Sequence, residues 1–312
     1  MSNSLENHNR RWGERKALWL KCGCAPDWWA PSRVISPALR ARYESWLPYQ
    51  EFQCSLREVA RSVLPDADWV PRALYDDRYL SLPDLWAAMP SQFAGKVTFS
   101  EEEIFPFLCA LADPPQFGAI ARRYPEEDAF LRNYLSSRRG SRILLADIGC
   151  GSGLPSHHLA TLVREFTQDF LVTGITAEPL EVWMAQNRRI PHDVRRQRQF
   201  LRFRGLEEKL RFQVGDAQDF SLEEPQEVIV CNGLVGAEYF SRREQWQGFL
   251  RSCRQNLAKD GIVLLANHFH EGRLPYLREF LRVAITCGFF VQERRESTNN
   301  TVFLLSSTDG HG

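Results

Sequence analysis

Nowhere do the 312 residues run to the roughly 18 consecutive apolar residues that a membrane-spanning helix requires. The opening stretch, MSNSLENHNRRWGERKALWLK, lacks the unbroken apolar core of a secretory signal. A cytoplasmic protein without a membrane partner is therefore expected. Excess charge is missing too: 39 Lys and Arg balance 39 Asp and Glu, so no overall field draws the chain to nucleic acid or anionic lipid. The eight cysteines are scattered, and Cys22 and Cys24 have neither CxxC spacing nor a second ligand pair nearby. Reduced structural thiols and no metal site are expected. Internal repeats and low-complexity tracts are also lacking.

What remains is an ordinary globular composition, 44% hydrophobic and 25% charged, in a chain long enough for two units. Seven of the nine tryptophans (Trp12, Trp19, Trp28, Trp29, Trp46, Trp69 and Trp86) fall before residue 95, among many prolines. Short helices interrupted by proline fit this texture better than strands, with tryptophans as packing anchors. Trp12 and Trp19, seven apart, share one face of a helix over 10–21. Ser100, followed by Glu103, predicts a helix start, and a further helix runs between Pro125 and Gly140.

From 141 the pattern changes. Apolar runs RILLADIG, FLVTGIT, LRFQVGD, EVIVCNG and GIVLLAN are separated mostly by helical stretches, which predicts a parallel sheet covered by helices on both faces. FFVQERRE and TVFLLSS, joined through STNN, predict a closing hairpin. The expected fold is α/β, a doubly wound, mostly parallel seven-stranded sheet with an antiparallel C-terminal strand. A helical region over 1–140 precedes a sheet domain over 141–312.

In such sheets ligands bind beyond the carboxyl ends of the strands, where a loop must turn sharply and let a ligand approach main chain. The first loop reads Asp147-Ile-Gly149-Cys-Gly151-Ser-Gly153. A dinucleotide fingerprint, GxGxxG/A, requires a small residue where this chain has Leu154. That disfavours a nicotinamide oxidoreductase. The D-x-G-x-G-x-G spacing instead resembles the first motif of class I S-adenosylmethionine-dependent methyltransferases.

The resemblance implies S-adenosyl-L-methionine as cofactor, with Asp147, Gly149, Gly151 and Gly153 around its methionine part. At the end of the second strand the family places an acid that holds ribose. Here Thr176 stands in VTGITAEPLEV, a form similar to cyclopropane-fatty-acid synthases and some sterol and phosphobase methyltransferases, with Thr176 or Glu178 as substitutes. GLEEKLRFQVGDAQDF resembles the third-strand segment, which assigns Asp216 to the adenine amino group and Ala217 to the ring. In EVIVCNGLVGAEYF the resemblance puts Cys231, Asn232 and Gly233 beside the cofactor. It covers 141 to about 308 and leaves the N-terminal region to shape the acceptor site or bind a partner.

Methyl transfer from a sulfonium expels a neutral thioether, so positioning supplies most of the catalysis and a base is needed only when the acceptor must lose a proton. Candidate catalytic residues are Glu238 and Tyr239 beyond the fourth strand and His268 beyond the fifth, near His270 and Glu271. His157 and His158 are assigned to packing and capping. Arg195, Arg196, Arg198, Arg202 and Arg204, interleaved with Phe200 and Phe203, are expected on a solvated helix face.

The segment VCNGLVGAEYFSRREQWQGFLRSCRQNLAKDGIVLLANHFHEG, with the helical N-terminal region, also resembles the glutamate methyltransferases of chemotaxis receptors. Their acidic pair after the glycine loop is absent. The expected acceptor is a small molecule. The alternatives are a protein carboxylate side chain, or a catalytically degenerate methyltransferase-like binding protein.

Overall fold

The computed structural model describes residues 3–21, 49–63, 98–112, 120–237, 240–267, 274–296 and 301–307. The chain divides into two compact units: Met1–Gly118 with Ile190–Arg195, and Ala119–Arg189 with Arg196–Gly312.

In the first unit the described elements are helices α1 (Asn3–Lys21), α2 (Tyr49–Val63) and α3 (Glu101–Ala112). The first begins seven residues earlier than its tryptophan spacing predicts. Leu5, Trp12, Leu56, Val59, Phe99, Ile104 and Phe107 are buried. His8 joins them through a 2.6 Å hydrogen bond to Ser55 Oγ, and burial, helped by Arg11, pushes its pKa down to about 4. Glu103 reaches back to the Ser100 amide at 3.1 Å, the side-chain half of a capping box.

The second unit carries the sheet. Helix α4 (Pro125–Ser136) leads to β1 (Ile143–Ile148), and α5 (Leu154–Arg164), β2 (Phe170–Thr176) and α6 (Pro179–Asn187) follow. A short α7 (Val194–Gln199) precedes β3 (Leu210–Val214) and β4 (Gln226–Asn232). Then come α8 (Arg243–Asn256), β5 (Leu257–Asn267), α9 (Leu274–Thr286), β6 (Phe289–Glu296) and β7 (Thr301–Ser307).

The strand order is β3-β2-β1-β4-β5-β7-β6, with β7 antiparallel to both neighbours and the other pairs parallel. This is a doubly wound, Rossmann-like sheet, and it bears out the predicted seven strands and the antiparallel last one. The STNN link lies outside the described residues. Every residue of β1 is buried, as expected of a central parallel strand covered on both sides.

One sheet face packs Ile148, Ile229, Val263 and Phe303 beneath Trp246, Phe249 and Phe280 of α8 and α9. Trp246 and Phe280 meet edge to face at 5.8 Å, and the indole N–H donates to the Phe240 carbonyl at 2.9 Å. Residues 215–225 cross from β3 to β4 without a helix. They lie along α8, held by Asn256, which accepts from Leu222 N at 2.8 Å and donates to Phe220 O at 3.1 Å.

Two details differ from expectation. The Lys259-Asp260-Gly261 turn is drawn into β5, where Asp260 takes a left-handed φ of 62° and the register against β4 shifts between Gln226 and Val228. Arg196 departs from a solvated face, being 3% exposed, because a helix lying against the protein must turn one side inward. Arg195, Arg198, Arg202 and Arg204 are exposed as expected.

Candidate functional site

Parallel pairing aligns the carboxyl ends of four strands. Ile148 lies opposite Ile175 and Cys231 in register, and the amides of Gly149 and Cys150 continue the ladder onto the Ile175 carbonyl at 2.8 and 3.1 Å. Gly215 N donates to Thr176 O at 2.9 Å and Gly233 N to Ala266 O at 2.7 Å. Asp147, Thr176, Asp216 and Asn232 therefore reach one end of the sheet, although they span 86 residues of sequence (147 to 232).

The turn after β1 is built on three left-handed glycines, with φ of 78° at Gly149, 55° at Gly151 and 84° at Gly153. They differ in what surrounds them. A Cβ at Gly149 would meet only Leu234, at 3.7 Å, whereas one at Gly153 would come within 2.6 Å of Ala185 Cβ and 3.0 Å of Phe212. Space at Gly149 is left open, and space at Gly153 is used by α6 and β3 to pack against the start of α5. Ser152, in the same turn, is fully buried, and its hydroxyl has no hydrogen-bond partner among the described residues.

Gly149 lines a small cleft of about 40 Å³ whose other walls include Asp147, Glu127, Asn232, Arg123 and His158. Ser156 Oγ donates to Asp147 at 2.6 Å, and burial, opposed by that bond, pushes the Asp147 carboxyl up to about 6. Asn232 Nδ2 donates to Glu127 at 2.6 Å, leaving its own Oδ1 buried with no partner among the described residues. Burial pushes Glu127 up to about 8; the Asn232 bond works against this, and the charges of Asp147 and Asp128 add to it. Asp128 is neutralised differently, accepting from Arg122 Nε and His158 Nε2, each at 2.8 Å.

Around the rest of the sheet end, Thr176 Oγ1 donates to the Glu181 carboxylate in the first turn of α6. An acid thus stands at the end of β2, five positions later than the family pattern would place it. Asp216 is exposed, and its Oδ1 accepts from Gln218 N at 2.9 Å. Ala217 packs beside the α8 and α9 core.

His157 caps and packs, with Nδ1 2.8 Å from Gly153 O and its ring stacked on Phe212 at 5.8 Å. His158 faces the cleft instead. Glu238, Tyr239, His268, His270 and Glu271 lie outside the described residues. Glu127, Asp128, Arg123 and Glu181 were missed by sequence reasoning. The first three precede β1 in an apparently ordinary helix start, and the Glu181 signal was its place one turn into the helix after Thr176.

No family model matches the chain, and no curated protein matches it. Among solved structures the chain is similar to a TehB-like SAM-dependent methyltransferase from Corynebacterium glutamicum, at 18% identity over 57% of this chain and 86% of the other, with a TM-score of 0.41. It is similar to a SAM-dependent methyltransferase from Thiobacillus denitrificans in complex with S-adenosyl-L-homocysteine, at 20% identity over 59% and 92%, TM-score 0.40. The glycopeptide N-methyltransferase MtfA complexed with SAM matches at 12% identity over 58% and 93%, TM-score 0.43.

Proposed function

We propose that the protein is an S-adenosyl-L-methionine-dependent methyltransferase acting on a small-molecule acceptor in the cytoplasm. The observation that carries this reading is the cleft at the end of β1 and β4, where an open glycine position, two buried carboxylates and an orphaned carbonyl oxygen converge. Such a set of acceptors suits the cationic methionine end of the cofactor. Asp147, Glu127 and Asn232 Oδ1 are assigned to that end, with the Gly149–Gly153 turn beneath it and Arg123 available to its carboxylate. Thr176 and Glu181 are assigned to ribose, and Asp216 and Ala217 to adenine.

The bound cofactor supplies an electrophilic methyl group on a good leaving group. The protein's part is to hold an acceptor in line and exclude water. Glu238, Tyr239 and His268 are assigned to the acceptor side. The helical region 1–140 is assigned to shape the acceptor site or bind a partner.

Calorimetric titration with S-adenosylmethionine, S-adenosylhomocysteine and NADH tests the reading. Micromolar affinity for the first two is expected, and no heat with NADH. In Gly151→Val, branches added at a left-handed position abolish binding of both ligands while cooperative melting persists. Heat with NADH alone would move the site to the dinucleotide class.

A further inference from the structure

The two deepest carboxylates of the cleft have no cationic partner among the described residues. Asp147 is 1% exposed and Glu127 4% exposed, and neither forms an ion pair with a described residue. The described positive groups around them do not pair with them. On the segment before α4, Arg122 bonds to Asp128, and Arg123 lies over the Tyr124 ring with its guanidinium carbon 5.4 Å from the centroid. From α5, His158 also bonds to Asp128. From β4 the cleft receives the Asn232 amide and, behind it, the buried Cys231 thiol, which burial pushes up and keeps neutral. Asn232 donates an N–H to Glu127, and its buried Oδ1 has no partner among the described residues, so the amide adds a further acceptor.

Two adjacent carboxylates cannot both be charged in such surroundings at ordinary cost. Each accepts one hydrogen bond at 2.6 Å, but Glu127 also faces the negative charges of both Asp147 and Asp128, so it is the worse placed of the two to stay charged. The arrangement is complete only when a positive group arrives.

We propose that Glu127 is protonated in the open cleft and releases that proton to solvent when the cationic part of the ligand, an ammonium or a sulfonium, seats against Glu127 and Asn232 Oδ1. The carboxyl O–H bond breaks, the proton passes to a buffer base, and the carboxylate that remains pairs with the ligand. No redox change is involved. The inference rests on the methyltransferase reading, since it takes its ligand from there. Its direction agrees with burial driving Glu127 up to about 8, while Asp147, driven only to about 6, is largely ionised at neutral pH.

The test is calorimetry of the full chain with S-adenosylmethionine and S-adenosylhomocysteine at pH 7, in phosphate and in Tris. The dependence of the observed heat on buffer ionisation enthalpy counts the protons released. About one proton per ligand is expected, with affinity rising about tenfold between pH 6 and pH 7. Release with both ligands places the ammonium in the seat, and release with S-adenosylmethionine alone places the sulfonium there. Glu127→Gln abolishes release and flattens the pH dependence, whereas Asp147→Asn weakens binding and keeps release. Binding without release, or release retained in Glu127→Gln, overturns this inference alone. A flat trace with both ligands overturns the methyltransferase reading along with it.

Discussion

Replacing Glu127 with glutamine changes one atom's chemistry and almost none of its shape, so its effect on stability isolates the cost of a buried carboxylate. In the unfolded chain this side chain ionises near its ordinary value of 4.5, and in the folded protein only near 8. Between those values the folded state holds a proton that the unfolded state has lost, so stability falls as pH rises. The slope for one group is about 1.4 kcal/mol per pH unit. From pH 5 to pH 7 the wild type therefore loses about 3 kcal/mol through Glu127. Glutamine has no proton to lose, and its amide oxygen can still accept from Asn232. Urea unfolding followed by circular dichroism at pH 5, 6 and 7 should show the variant gaining about 3 kcal/mol on the wild type across that range. Asp147 adds a slope of the same sign between 3.8 and about 6, shared by both proteins. Parallel curves of stability against pH would refute the reasoning, because they would mean that Glu127 is ionised in the fold.

Gly153→Ala forces a side chain onto a left-handed backbone and against Ala185 and Phe212, and about 2–4 kcal/mol of destabilisation is expected in thermal or urea melts. Asn256→Ala strips the buried partners of Leu222 N and Phe220 O and frees 215–225 from α8. A loss of about 2–4 kcal/mol is expected, with faster amide exchange in that segment. Asp216→Ala should weaken S-adenosylmethionine and S-adenosylhomocysteine alike by about 10- to 150-fold, with kcat nearly recovered at saturation. Unchanged affinity with reduced stability would instead assign Asp216 to the turn that it already closes through Gln218 N.

The strands were legible because each is a short apolar run bounded by turn residues, and β1, FLVTGIT and TVFLLSS lie where the pattern put them. The glycine turn was legible for a related reason: three positions with left-handed φ in five residues admit few residue types other than glycine. The start of α1 was less legible, since Asn3–Asn9 carries little apolar periodicity and is held as helix by tertiary contacts of Leu5 and His8. The turn at Lys259–Gly261 shows the same limit, because pairing with β4 absorbed a local turn signal into a strand.

By itself, then, the sequence determined an alternating α/β chain with a ligand-permissive turn after its first strand, because periodicity and backbone freedom are local properties. Only the tertiary structure decided which polar groups surround that turn. Glu127 and Asn232 are 105 residues apart and meet through one 2.6 Å hydrogen bond. Glu181 joins the end of β2 because the first turn of α6 folds back onto Thr176. The glycines, alike in sequence, were separated in role by their neighbours, Gly149 facing the cleft and Gly153 closed by Ala185 and Phe212. Burial raises a carboxyl's pKa only when the rest of the chain has removed its water, and no pattern within a few residues of Glu127 records that removal.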